Sequence, residues 1–121
     1  MKKNGEEGCV YLLGDWEKEG MYKIGVTKGS LERRIKKLQT GNPGEIYLCR
    51  YYKTKHPFFI EKTLHSRFLA KKVLNEWFSL TFEDIVNFEK TCKEIEGMIN
   101  VLKDNPFFPE KFKIGLIIKK I

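Results

Sequence analysis

Residues 9–26 read CVYLLGDWEKEGMYKIGV, and this stretch predicts that the fold begins with a β-hairpin. Residues 9–13 and 21–26 are short runs of aliphatic and aromatic side chains, and the polar turn between them is bounded by Gly14 and Gly20. Such runs, separated by turn residues, are typical of paired antiparallel strands. The elements that follow determine what this hairpin packs against.

Three helices are predicted after the hairpin, and each has a start signal. Ser30 is a good N-cap for a helix of about residues 31–40, which ends at the Gly-Asn-Pro-Gly turn of residues 41–44. Pro57 suits the first turn of a second helix. The sequence TFED at residues 81–84 resembles a capping box and predicts the start of a third helix.

The remaining segments complete the predicted order of elements. Residues 45–52 predict a third strand, residues 73–80 an extended or irregular segment packed on the core, and residues 112–121 a final strand. This order predicts an α+β fold, with a central antiparallel three-stranded sheet, flanking helices and a C-terminal helix. We expect a main domain at residues 1–80 and a C-terminal extension at residues 81–121 that packs on it.

The composition indicates a folded protein with an anionic partner. Of 121 residues, 41% are hydrophobic and 32% are charged, which is typical of one soluble domain with a core. No apolar run is long enough to span a bilayer, and the first residues lack the apolar block of a signal peptide. The three cysteines are widely spaced and form no C-x-x-C pair, so neither a zinc site nor a disulfide framework is indicated. We therefore expect a cytoplasmic protein without a membrane partner. The net charge of +7 favours a polyanion, nucleic acid first.

A charged pair on the second helix is the strongest functional signal. Glu61 and His65 are four residues apart, so they share a helix face with Phe58, Leu64 and Phe68. A carboxylate and an imidazole in an apolar stripe are costly to bury without partners. Two interpretations of the Glu61–His65 pair stay open at this point. It could form the floor of an active site, or it could be an ordinary solvated pair on a helix surface.

In their order along the chain, several short motifs resemble those of the GIY-YIG endonuclease family. The sequence GCVY at residues 8–11 stands where that family has Gly-Ile-Tyr. The phage-type branch is the closest, because it shares five motifs: Lys-Ile-Gly at 23–25, an arginine at Arg34, Asn-Pro at 42–43, Glu-x-x-x-His at Glu61 and His65, and Glu-Trp-Phe at 76–78. The resemblance covers about residues 8–80 and implies a small nuclease domain at residues 1–80, of phage or viral origin.

Three positions depart from the family pattern. Two residues separate the first glycine from Tyr11, Lys23 replaces the tyrosine of the second triplet, and Leu38 stands where many members carry a histidine. Because side chains two apart on a strand share a face, Lys23 rather than Tyr22 has the register of the family's tyrosine. We therefore expect Lys23 in the site, while a solvated strand lysine remains the alternative.

The resemblance implies a metal and a base for phosphodiester hydrolysis. One divalent metal is expected on Glu61, whose hard carboxylate oxygen suits Mg²⁺ or Mn²⁺. Tyr11 is expected to position or deprotonate the attacking water. An unperturbed phenol has a pKa of about 10, so Tyr11 would need Lys23 or the metal to lower it.

Three further side chains have expected roles around the phosphate. Arg34 could grip the scissile phosphate with its planar guanidinium group. His65 could protonate the leaving group or orient a water. Glu76 precedes a Trp-Phe pair and could fix Lys23 or Arg34, although an ordinary surface carboxylate is the alternative.

Affinity for DNA is expected to come from phosphate contacts that do not read sequence. The candidate cations are Lys28, Arg33, Lys36, Lys37, Lys71 and Lys72. No separate recognition module is evident, so low sequence specificity is expected. The leading hypothesis is a metal-dependent endonuclease that cuts DNA, with RNA left open as a substrate.

Two rival hypotheses stay open. The first is a non-cleaving nucleic-acid-binding module with the same fold, which Lys23 and Leu38 favour. The second is an interaction protein that dimerises through the apolar stripe of the third helix, and core packing is the simpler interpretation of that stripe. The stripe consists of Ile85, Phe88, Cys92, Ile95, Ile99 and Leu102. A monomer or a weak homodimer is expected.

Overall fold

The computed structural model describes residues 7–104, with side chains through residue 102. Its elements are β1 (Gly8–Asp15), β2 (Met21–Thr27), α1 (Leu31–Thr40), β3 (Ile46–Thr54), α2 (Pro57–Arg67), a 3₁₀ turn (Leu69–Lys71), β4 (Lys72–Leu74), β5 (Trp77–Ser79), α3 (Phe82–Val86) and α4 (Phe88–Asp104). The five strands form one antiparallel sheet in the order β3-β1-β2-β5-β4. This is the predicted α+β class, with five strands where three were expected. The predicted final strand at residues 112–121 lies outside the described residues.

Three helices begin at the predicted signals. α1 follows Ser30, whose hydroxyl accepts a hydrogen bond from the backbone N–H of Arg33 at 3.2 Å. α2 starts at Pro57, because the first turn of a helix needs no N–H from that residue. α3 follows Thr81, which forms a complete capping box with Asp84. Local hydrogen bonding thus fixes where each helix starts.

The sheet carries an apolar core on each face, because successive strand residues point to opposite sides. On one side, Val10 and Leu12 of β1 pack against α2, α3 and α4, and we call this the α2/α4 face. On the other side, Tyr11 and Leu13 pack against α1, and we call this the α1 face. The residues of α1 in this contact are Leu31, Ile35 and Leu38. The central strands are therefore covered on both faces.

The segment at residues 73–80 is more regular than predicted. It forms a hairpin of two three-residue strands, β4 and β5, and β5 pairs with residues 21–23 of β2. Asn75, in the connection between the strands, has a φ of 53°, a left-handed conformation that asparagine tolerates better than most residues. The hairpin widens the sheet and brings Glu76 to the edge of β2.

The late apolar stripe spans two helices rather than one. α3 ends at Val86, and α4 begins at Phe88 after the C-cap Asn87. Buried members of the stripe, from Ile85 to Ile95, join the core on the α2/α4 face, which is the core-packing interpretation. The domain division at residue 80 and the oligomeric state stay predictions. Within residues 7–104, no helix combines the length and the apolarity that a membrane span requires.

The Gly-Asn-Pro-Gly turn after α1 is tied to β1 by a buried carboxylate. Asn42 Nδ2 donates hydrogen bonds to Asp15 Oδ2 at 3.0 Å and to the Gly44 carbonyl at 2.7 Å. The hydrogen bond from Asn42 is the main reason that the pKa of Asp15 lies below its usual range. Gln39 continues the network, because its Nε2 donates to the Gly44 carbonyl and its Oε1 accepts from the backbone of Ile46. The Asn-Pro motif therefore holds the end of α1 against the sheet.

Candidate active site

The predicted site residues lie around the edge of β2, at the point where β5 begins. β5 pairs only with residues 21–23, so other groups satisfy the backbone of the next residue, Ile24. Its N–H donates to the Glu76 carbonyl at 3.1 Å, and its carbonyl lies 2.9 Å from His65 Nε2. The β4–β5 turn and α2 are therefore both anchored to β2 here.

Tyr11 lies at the centre of the site, over Gly25. The two residues are opposite each other in the β1–β2 pairing, and a Cβ atom at Gly25 would overlap the phenol ring. The Tyr11 side chain is fully buried, and its hydroxyl oxygen accepts a hydrogen bond from Arg34 Nε at 3.2 Å. Only glycine at position 25 leaves room for the phenol to lie across the strand and meet Arg34.

The electrostatic surroundings of Tyr11 oppose its ionisation. Burial raises the pKa of the phenol, and the carboxylates of Glu76 and Glu61 raise it further, while the hydrogen bond and charge of Arg34 lower it. The net shift is upward, opposite in direction to the lowering expected from Lys23. Burial and two carboxylates outweigh the one guanidinium that touches the phenol oxygen.

Lys23 lies on the same face as Tyr11, as strand alternation predicts. Lys23 is opposite Leu13 in the β1–β2 pairing, and its ammonium nitrogen is 3.1 Å from Glu76 Oε1. Tyr22 packs against the core of the α2/α4 face instead. Lys23 therefore lies on the predicted face of the sheet, and Glu76 holds its ammonium group in place.

Glu61 is a buried carboxylate that lies beside the imidazole of His65. It is 8% exposed, and its Oε2 lies 3.6 Å from His65 Nε2. Burial raises the pKa of Glu61, the charge of His65 opposes this, and the nearby charge of Glu76 adds to it. The carboxylate is thus held in a place where a further cation would stabilise its charged form.

Glu61 is the residue through which this site could hold a divalent cation. Glu61 and Glu76 are close enough to raise the pKa of Glu61, and carboxylate oxygens are preferred ligands of Mg²⁺ and Mn²⁺. Among the residues that the structure describes, no cluster of three or more His, Cys, Asp or Glu side chains could hold a metal ion. The fit is therefore to an ion held by one or two carboxylates, with water and substrate oxygens as its other ligands.

His65 is committed to the backbone through one ring nitrogen. Its Nε2 lies 2.9 Å from the Ile24 carbonyl, which can only accept, so Nε2 carries a proton. The ring also packs edge-on against Phe78, with 4.9 Å between centroids. Any transfer of a proton to a leaving group would have to use Nδ1.

A comparison against models of known families matches most of the chain. The model of the T5orf172 domain matches residues 8–96. The chain belongs to the T5orf172 domain family. The T5orf172 domain is a phage-associated domain of nuclease type, which indicates a nuclease-like or DNA-binding module that interacts with nucleic acid. Comparison with curated proteins and with solved structures gave no match.

The cations predicted to bind DNA lie on two parts of this T5orf172 domain. Lys28, Arg33, Lys36 and Lys37 are exposed on α1 or just before it, and Lys72 is exposed on β4. Lys71 is half-buried, and its ammonium nitrogen lies 2.6 Å from Asp84 Oδ2. A phosphate would have to compete with that carboxylate for Lys71.

Two residues near the site were not predicted from the sequence to belong to it. Trp77 follows Glu76 and lines a cavity beside Lys23, although the Glu-Trp-Phe motif identified it only as an anchor. Asp15 is buried at the end of β1, where its carboxylate accepts a hydrogen bond from the turn residue Asn42. A buried aspartate paired with a turn asparagine across 27 positions leaves no local pattern in the sequence.

If this T5orf172 domain cleaves DNA, Lys23→Met is expected to slow cleavage by about tenfold or more, because the substitution removes from the α1 face the cation that pairs with Glu76. Tyr22→Phe, its neighbour on the opposite face, is expected to have a mild effect. Single-turnover rates on one plasmid with saturating Mn²⁺ compare the two variants. A slow Tyr22→Phe beside a near-normal Lys23→Met would reverse the assignment.

Proposed function

We propose that this chain is a divalent-metal-dependent endonuclease that hydrolyses DNA phosphodiester bonds with low intrinsic sequence specificity. One observation carries the proposal. At the edge of β2, Tyr11 accepts a hydrogen bond from Arg34 and is close enough to the buried Glu61 for that carboxylate to raise the pKa of the phenol. Phosphodiester hydrolysis needs an oriented nucleophile, a cation on the phosphate and a ligand for a metal. Tyr11, Arg34 and Glu61 are the residue types that supply them.

The proposed roles follow from which atoms are already bonded. Arg34 uses Nε for the phenol oxygen, so its two terminal nitrogens are left to hold a phosphate in a planar fork. The Tyr11 oxygen accepts that bond, so its own O–H can donate to the attacking water or exchange a proton with it. Glu61 holds the metal, which when bound supplies Lewis-acid stabilisation of the charge that develops on the phosphate.

Lys23 and Glu76 complete the proposed site. The ion pair at 3.1 Å holds the lysine ammonium against Glu76, on the face of the sheet that carries Tyr11. Lys23 would add positive charge near the phosphate, and Glu76 would position Lys23. His65 would fix the helix face that carries Glu61, because its Nε2–H is bonded to the backbone of β2.

Arg34→Ala should lower the single-turnover rate on the order of a hundredfold with little loss of DNA affinity, because Arg34 touches the reacting centre. The matched variant Lys36→Ala/Lys37→Ala removes two exposed cations from the same helix, and it should leave the saturated rate near wild type. It should also make the slope of log affinity against log salt shallower by about 2 units. Fluorescence anisotropy in EDTA and single-turnover cleavage in Mn²⁺ measure the two quantities. If Arg34→Ala and Lys36→Ala/Lys37→Ala lose the same DNA affinity and cleave at the same saturated rate, the separate roles of Arg34 and the two lysines are contradicted.

A non-cleaving nucleic-acid-binding module is the second candidate, and the raised pKa of Tyr11 favours it. A phenol that holds its proton at neutral pH is a poor base unless a bound cation offsets the carboxylates around it.

A substrate panel tests the two candidates against each other. Supercoiled plasmid, a branched DNA and an RNA of matched length are incubated with the full chain, with and without Mg²⁺ or Mn²⁺. Metal-dependent cleavage of DNA supports the nuclease. Binding to all three substrates without a product in any metal supports the binding module.

A further inference from the structure

A cavity of about 240 Å³ opens on the α1 face, and Lys23 lies on its wall. The side chains of Lys37 and Trp77 and the backbone turn at Gly41 and Asn42 also line it. Lys23 is the one lining residue with a role in the proposed hydrolysis, so the cavity adjoins the candidate active site without being part of it.

The wall of the cavity combines an aromatic ring with positive charge. The ammonium nitrogen of Lys23 lies 5.8 Å from the centroid of the Trp77 ring, and that of Lys18, which does not line the cavity, lies 6.0 Å from it. Lys37 contributes a further cation from the last turn of α1. A ligand that complements these groups has a flat aromatic part to stack on the indole and a negative charge for the lysines. A nucleotide has both.

The cavity is built from a fixed turn. Both hydrogens of Asn42 Nδ2 are used, by Asp15 Oδ2 and the Gly44 carbonyl, so Asn42 Oδ1 is left as an acceptor. Gly41 adds no side chain, and a Cβ atom there would meet nothing within 4 Å. Its φ of −97° is open to any residue, so the backbone at position 41 can accept a side chain that would extend into the cavity.

We propose that this cavity binds one nucleotide of the DNA strand beside the scissile phosphate, with the base on Trp77 and its phosphate near Lys37. Lys23 connects the two places, because it lines the cavity and is paired to Glu76 in the active site. The proposal rests on the proposed nuclease function for the strand's position, but the binding of a nucleotide can be measured without cleavage. Stacking on an indole tolerates every base, which agrees with low sequence specificity.

Tryptophan fluorescence tests the stacking directly, because the chain has only two tryptophans. The variant Trp16→Phe of the full chain leaves Trp77 as the only indole. Trp16 lies in the β1–β2 turn, is exposed and stacks on Tyr47 of β3, so phenylalanine can replace it. This protein is titrated in EDTA with a thymidine tetranucleotide, and then with an abasic tetramer that has the same phosphates. Saturable quenching by the tetranucleotide, and none by the abasic strand, is the expected result.

Two variants in the Trp16→Phe background locate the ligand. Gly41→Phe fills the space at the turn and should weaken the tetranucleotide at least about fivefold, the lower end of what one stacked base contributes. Gly97→Phe is the matched control, since a Cβ atom at Gly97 on α4 also meets nothing within 4 Å, and it should leave the affinity unchanged. Lys37→Met should also weaken binding of the tetranucleotide. If Gly41→Phe does not fold, Lys37→Met alone tests whether the ligand binds in the cavity.

The outcomes separate this inference from the proposed function. Absent quenching, or equal quenching by the abasic strand, would overturn the nucleotide site even if the same protein nicks plasmid in Mn²⁺. Unchanged affinity in both Gly41→Phe and Lys37→Met would overturn it as well. Quenching with the expected variant effects, together with no cleavage of any substrate, would support the site and reject the nuclease.

Discussion

Glu61→Gln is expected to reduce metal-dependent DNA cleavage by at least about a hundredfold while the fold and the DNA affinity stay near wild type. Glu61 is buried on α2 with its carboxylate beside His65, so glutamine keeps the volume and the packing but removes the charge that holds a cation. The rate is measured under single-turnover conditions on supercoiled plasmid, and anisotropy in EDTA measures DNA affinity. Titration with Mn²⁺ should give one site in the wild-type protein and none in the variant.

The control for Glu61→Gln is Glu83→Gln, which removes a carboxylate from the exposed surface of α3. It should leave the cleavage rate and the Mn²⁺ site unchanged. Undiminished cleavage by purified Glu61→Gln would remove Glu61 from the role of metal ligand, whatever the effect on stability.

Tyr11→Phe should lower the cleavage rate by about 10²- to 10⁴-fold, the range typical of a lost general acid–base group. The ring is fully buried over Gly25, so phenylalanine keeps the packing and loses only the hydroxyl that Arg34 touches. The lost hydrogen bond should lower the free energy of unfolding by about 1 kcal/mol. Tyr51→Phe, at an exposed tyrosine opposite Tyr11 on β3, is the matched control and should cleave normally. A near-normal rate for Tyr11→Phe would remove the phenol from the reaction.

The pH profile gives a second test of Tyr11. The pKa of its phenol is raised, so the ionised fraction is small at neutral pH. As long as the pH stays below that pKa, each increase of one pH unit raises the ionised fraction about tenfold. If the phenolate is the base, the wild-type rate at saturating Mn²⁺ should rise with this slope through neutral pH, and Tyr11→Phe should lose the slope. On the acid side, the raised pKa of Glu61 means that this carboxylate is protonated at a higher pH than an ordinary glutamate. Metal-dependent cleavage should therefore be lost at a higher pH than an exposed glutamate ligand would allow. A flat wild-type profile would contradict the assignment.

Local sequence signals predicted the helix starts better than they predicted the sheet. Ser30, Pro57 and the capping box at Thr81 each act through bonds within their own first turn, so neighbouring residues carry the information. β4 and β5 are three residues each, too short for an alternating pattern, and they exist because β5 pairs with β2. The break at Asn87 was missed because the apolar spacing continues across it.

Strand alternation predicted which face of the sheet each strand residue occupies. The sequence did not predict which side chains from distant segments contact each other. The period of two was enough to place Lys23 on the face of Tyr11 and Tyr22 on the other. The bond from Arg34 to the Tyr11 oxygen joins residues 23 positions apart, and the sequence offered only their separate motifs. The direction of the Tyr11 pKa shift depends on burial and on two carboxylates from other elements, and no local pattern reports this.

The most direct test of the proposed nuclease is a time course of supercoiled plasmid with the full wild-type chain. Mn²⁺ is supplied at the start, chelated with EDTA midway and then restored in excess, and purified Glu61→Gln is run in parallel to reveal any contaminating nuclease. The proposed function predicts conversion to nicked and linear plasmid that stops with EDTA, resumes with Mn²⁺ and is absent in Glu61→Gln. Plasmid that stays supercoiled throughout, although anisotropy shows it to be bound, would contradict a nuclease and leave a DNA-binding module.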